Sequence, residues 1–127
     1  MKTFLVALVI LVLVIGFVIW NALDLKKTFE ELLTITEALP AEASEFQKDE
    51  ATREKVDALW RIWDKKFARI TFTNGYENCN RADEALVSLV IHYQNDNAED
   101  FTHARLIFWD SLCRLKTLES FGLDSIF

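Results

Sequence analysis

Residues 4–20 read FLVALVILVLVIGFVIW, seventeen consecutive positions without a charge or a strongly polar group. As a helix this stretch rises roughly 26 Å. Ala22 and Leu23 extend it past Asn21, close to the ~20 residues that a bilayer core requires. Trp20 stands where an interfacial aromatic anchors a spanning helix, and such helices tolerate a glycine like Gly16. The pattern predicts a transmembrane anchor over residues 1–23, with the membrane contacted through residues 4–20. A secretory leader is the competing reading, with Lys2 as its basic start. The apolar run exceeds the ~7–15 residues usual for a leader, and a cut after Ala22 would put bulky Trp20 at the third position before it. The alternative to an anchor is thus a secreted soluble helical protein. Charge does not orient the segment: Lys2 and the amino terminus on one side stand against Lys26 and Lys27 on the other.

Working outward, the rest of the 127 residues is too short for more than one small domain. Three glycines and one proline are too few turn formers for a sandwich, a barrel or an alternating α/β fold. The plentiful Phe, Trp and Leu argue against disorder. The expected class is all-α: an N-terminal transmembrane helix followed by an antiparallel bundle of three to four helices. The expected segments are a juxtamembrane helix and linker over 24–47 and a bundle domain over 48–127. Lys2 is the only charge before Asn21, so the remainder carries 13 basic against 20 acidic side chains, a net of −7. The lack of a basic block argues against nucleic-acid binding, and for the same reason disfavours docking of this domain on anionic headgroups.

Residues 24–39 place Leu25, Phe29, Leu32, Thr36 and Leu39 on one stripe that stops before Pro40. That stripe fits either packing against the chain's own domain or a short pairing of two copies. Ser44 and Gln47 have the spacing of a capping box for a helix running to about Phe72, with Val56, Leu59, Trp60, Trp63, Phe67 and Ile70 as its core face. Trp60 and Trp63 are both expected in the core. Thr73-Asn74-Gly75 reads as a stop. A helix over Glu77–Gln94 buries Cys79, Ala82, Leu86, Leu89, Val90 and Tyr93. Asn97 caps a last helix over Ala98–Phe121. That helix has one stripe of Phe101, Ala104, Phe108, Leu112 and Leu115 and a second of Leu106, Trp109 and Cys113, which predicts a central position. Gly122 then releases a tail whose Leu123, Ile126 and Phe127 are expected to pack back.

Candidate chemistry is sparse. Cys79 and Cys113 lie seventeen residues either side of Asp96, at equal heights on antiparallel helices. Two readings stay open: a disulfide, which needs Cα atoms roughly 4.4–6.8 Å apart, or two free thiols acting as small hydrophobes. His92 and His103 flank the same turn beside Asp96, Glu99 and Asp100, a low-ranking alternative as a metal-dependent site, since no zinc motif matches. No nucleophile elbow, phosphate loop or dinucleotide fingerprint is present. The expectation is a non-enzymatic module with no cofactor and no small-molecule substrate, whose partner is a protein or a second copy of itself.

The anchor, the segment Ala58-Leu59-Trp60-Arg61-Ile62-Trp63, the helix start Tyr76-Glu77-Asn78, the polar turn at Gln94–Asp100 and the ending Leu118 to Phe127 together resemble one family. It is the bacterial family of domain of unknown function 4363, small single-pass membrane proteins of clostridia and relatives. That family often has a His-Glu pair where this chain has Tyr76-Glu77, so no site is carried over there. The resemblance implies an extracytoplasmic helical domain on a membrane anchor. It implies no activity.

Overall fold

Four helices account for the fold in a computed structural model that describes the backbone of residues 1–126 and the surroundings of side chains as far as Glu119. They are α1 (Lys2–Ala38), α2 (Glu50–Asn74), α3 (Tyr76–Gln94) and α4 (Ala98–Ile126). A single 3₁₀ turn, Ala43–Glu45, lies in the α1–α2 linker, and no strand occurs among the described residues.

The first helix has two halves with different environments. Its apolar run is long enough to cross a membrane and none of it is buried by the rest of the chain. Burial begins at Ala22, and Leu25, Phe29, Leu32, Leu33 and Thr36 then form one wall of the core. The stripe over 24–39 is therefore packed against its own domain. The helix stops because Leu39, preceding Pro40, is extended. Side chains from other helices take up its last carbonyls: Arg105 Nε donates to Thr36 O at 2.9 Å, Arg105 Nη2 to Glu37 O at 3.3 Å and Lys55 Nζ to Ala38 O at 3.5 Å.

The linker does not start α2 at Ser44, which lies in the 3₁₀ turn. Asp49 is the cap instead, its Oδ1 accepting from Thr52 N at 2.8 Å. The linker's own role is to bring in Phe46. Its ring meets Phe101 edge-on at 5.0 Å and Tyr93 at 6.1 Å, closing the distal end of the bundle.

Helix α2 ends at Gly75, whose φ of +82° lets α3 begin at the next residue. Asp96, at φ +58°, turns α3 into α4, and Asn97 Oδ1 accepts from Asp100 N as predicted. The last helix packs on α3 and α1 most extensively and also touches α2 and the 3₁₀ turn, which is the central position expected. Its first stripe is buried throughout, with Phe108 edge-on to Trp63 at 5.9 Å. It runs through Gly122 to Ile126, so that glycine ends no helix. The expected packing of Leu123, Ile126 and Phe127 lies outside the described residues.

Two core assignments need correction. Trp63 is buried to 1 % exposure, but Trp60 is 43 % exposed. At 100° per residue Trp60 lies roughly 70° from the mean direction of Val56, Leu59, Trp63 and Ile70, beyond the arc the other helices cover. Leu106 is 56 % exposed. The second stripe of α4 runs instead through Arg105, Trp109 and Lys116, all of which bond α1.

Candidate functional site

The features that distinguish this bundle from a bare core lie at the two ends of its helices. At one end α1 leaves its apolar run, and α2, antiparallel to it, reaches its last two turns. Asp24 and Asn21 lie one turn apart on the α1 face that meets α2. Asp24 Oδ2 takes Lys66 Nζ and Arg69 Nη1, each at 2.9 Å. Asn21 Oδ1 accepts from Arg69 Nε at 3.0 Å and Nη2 at 2.7 Å, while its Nδ2 donates to Thr73 Oγ1 at 3.0 Å. The guanidinium of Arg69 also stacks over Trp20 at 4.7 Å. The hydrogen bond from Lys66 holds the Asp24 carboxyl below its usual range against some desolvation, helped by Arg69. The result is a polar clamp that fixes the direction in which the apolar run leaves the bundle. Sequence reasoning missed it. Its only signal is the spacing of the α2 residues Lys66, Arg69 and Thr73, three to four apart on one face.

Nearby, Glu119 is buried at the foot of α4. Burial pushes its carboxyl up, and a 3.3 Å hydrogen bond from Asn74 Nδ2 offsets this only in part. Every buried side-chain polar atom among the described residues has a hydrogen-bond partner.

At the other end, the structure brings His92 and His103 to one shallow groove of about 250 Å³ between α3 and α4, together with Glu84 and Asp100. The Asp100 carboxylate is engaged by Asn97 Nδ2 at 2.6 Å. No group of three or more His, Cys, Asp or Glu among the described residues is placed to hold a metal ion. Cys79 and Cys113 are both free thiols. Cys79 is wholly buried and its thiol is pushed up to about 11 by desolvation, with Asp83 adding to the shift. Cys113 is half-buried on the stripe of α4 that carries Trp109, and burial raises it too. Neither thiol is activated as a nucleophile at neutral pH.

Trp60 is the conspicuous feature of the outer face. It borders a cavity of about 550 Å³ with Val56, Asp57, Arg61, Val90 and Gln94.

Neither family models, nor curated proteins, nor solved structures match this chain.

Proposed function

We propose that this chain is a single-pass membrane protein whose helical domain stands outside the cytoplasm and acts as a protein-binding or scaffolding module of the cell envelope. One observation carries the reading. A single unbroken helix is uncovered and apolar over its first half and is a wall of the core over its second. The core helix of a soluble protein would be covered along its length, and this one is not. A cleaved leader fits less well, because cutting after Ala22 would remove Trp20 and Asn21, both of which hold Arg69. The likeness to domain of unknown function 4363 belongs to this proposal, rests on the residues quoted for it, and supplies the outside orientation. The binding role is supported by Trp60 and Arg61 beside Val90 at a surface cavity, since Trp and Arg are the residues that most often dominate binding energy at interfaces.

The test is fractionation of cells making the full chain. The expected result is resistance to alkaline carbonate extraction, an intact mass that includes residues 1–22, and digestion of the bundle by protease added to intact cells. A mature chain lacking residues 1–22 would replace this reading by the secreted one. Protection from external protease would reverse the orientation. Crosslinking in native membranes then reads partner capture, which Trp60→Ala is expected to weaken.

A further inference from the structure

The α2–α3 corner carries two aromatic side chains that the fold does not use. Phe72 is 90 % exposed and Tyr76 is 65 % exposed. On α2, Phe72 points roughly opposite to the mean direction of Val56, Leu59, Trp63 and Ile70, so no repacking within the domain would cover it. A phenylalanine this exposed, three residues before a tight turn, has no folding reason to be aromatic. Its height is fixed by the clamp. Thr73 Oγ1 is bonded to Asn21 Nδ2 at 3.0 Å, and Arg69, one turn before it, lies over the Trp20 ring. Gly75 makes the reversal in one residue, so Tyr76 starts α3 at the same end. Phe72 and Tyr76 therefore lie within about one helical turn, roughly 5 Å, of the level of Trp20 and Asn21. That is where the apolar run of α1 stops.

We infer that the α2–α3 corner, through Phe72 and Tyr76, is a second membrane contact, seated in the headgroup–acyl boundary of the bilayer that α1 spans. The inference rests on reading α1 as a span. The occupant follows from continuity: Trp20, Phe72 and Tyr76 lie near one level, Trp and Tyr settle at that boundary through their polar edges, and a bare phenyl ring beside them inserts on its apolar side. Arg69 and Lys66 lie beside it with their stems on the protein and their charges already paired to Asp24. Asp24 neutralises one of these two charges, and the contact itself is the apolar insertion of Phe72 and Tyr76. With two points of contact the bundle has a set tilt and a set rotation about α1. The face bearing Trp60 is then presented at one height. Trp60 lies twelve residues before Phe72 on the same helix, roughly 18 Å farther out, well beyond the roughly 6 Å headgroup layer.

The test incorporates the photo-crosslinker p-benzoylphenylalanine at Leu11, Phe72 or Trp60, one site per protein, in the full chain. Each protein is reconstituted in vesicles of phosphatidylcholine and phosphatidylglycerol, and lipid adducts are read by intact mass. All three sites are exposed, so the bulky residue does not disturb the core. The expected pattern is abundant adducts at Leu11 and Phe72, with yield at Phe72 at least about tenfold above Trp60. Adducts at Leu11 with none at Phe72 overturn the inference and leave the anchor standing. A protein adduct at Phe72 in place of lipid, seen when native membranes are used, overturns it in favour of a protein partner at this corner. No adduct at Leu11 removes the anchor reading and this one with it.

Discussion

Arg69 holds the exit of the apolar run, so truncating it should loosen that exit measurably. Arg69→Ala removes two hydrogen bonds to Asn21, the ion pair to Asp24 and the stack on Trp20. The ion pair is partly exposed and contributes about 0.5 kcal/mol after solvent screening. The stack contributes about 0.5–1 kcal/mol, and the hydrogen bonds to Asn21 about 1 kcal/mol. Because these contacts share one guanidinium they are not independent, and about 2 kcal/mol in all is the expected loss. Lys66 stays on Asp24, so no buried charge is stranded. For a domain of about 100 residues that loss lowers the melting temperature by roughly 8–12 °C. The assay is thermal unfolding of the full chain in detergent micelles, followed by circular dichroism at 222 nm.

Two companions make the reasoning refutable. Arg69→Lys keeps a charge for Asp24 but loses the planar fork and the stacking face, so it should recover less than half of the deficit. A double-mutant cycle of Arg69→Ala with Asn21→Ala should show a coupling of at least ~0.5 kcal/mol. If Arg69→Lys melts like the wild type, only charge matters here and the clamp as described is wrong. If the two alanine effects simply add, the Arg69–Asn21 hydrogen bonds contribute nothing to stability.

Three further outcomes follow from buried or paired titratable groups. Asp24 has its pKa lowered by Lys66 and Arg69, so its contribution is full above the ordinary aspartate value near ~3.9 and is lost as pH falls through the folded-state value. Asp24→Asn should flatten that acid limb in a pH series of melts and cost about 1 kcal/mol at pH 7. Glu119 is shifted the other way by burial. Stability is greatest below the ordinary glutamate value near ~4.3 and is lost as pH rises through the raised one, so Glu119→Gln should match or exceed the wild type at pH 7 by on the order of 1 kcal/mol. A variant that melts lower at pH 7 than at pH 4 by the wild-type margin would contradict that assignment. Finally, native-state thiol labelling should modify Cys113 well before Cys79, and denatured, unreduced chain should yield two free thiols. Equal labelling rates would mean that Cys79 is not buried.

Periodicity made the core legible wherever a stripe was narrow. Leu25, Phe29, Leu32 and Thr36 on α1 with Leu39 just past its end, and Phe101, Ala104, Phe108, Leu112 and Leu115 on α4, are all buried as read. It failed where an apolar residue sat at the margin of a face. Trp60 and Leu106 differ from their buried neighbours only in angle, and how wide an arc is covered depends on where the other helices lie. The start of α2 was misplaced because Ser44/Gln47 and Asp49/Thr52 both offer cap geometry within a few residues. The clamp was not legible at all. Asn21, Asp24, Lys66, Arg69 and Thr73 are more than forty residues apart in sequence across the α1–α2 pair, and each alone reads as a polar surface residue. The pairing of His92 with His103 was legible because a short turn sets it, though a shared groove does not make the imidazoles converge.

The illegibility of the clamp has a cause that bears on function. Binary patterning describes a helix against one neighbour, the core, whereas three surfaces meet at the foot of this bundle: core, water and the level at which the apolar run ends. Residues there satisfy mixed demands. Trp20 stacks on a cation, Arg69 hydrogen-bonds an amide at the edge of an apolar helix, and Phe72 faces away from every helix of its own domain. The exposed Phe72 in particular improves no soluble four-helix bundle, since it adds only an aggregation-prone apolar surface in water. All become consistent once that level is the boundary of a bilayer, where Trp and Tyr are favoured and an Arg stem can lie along apolar surface with its charge satisfied. On the proposed reading, then, the domain is built around its position at the membrane. The clamp transmits the direction of the span to the bundle, and the bundle holds its Trp60 face at a fixed distance for whatever protein meets it there.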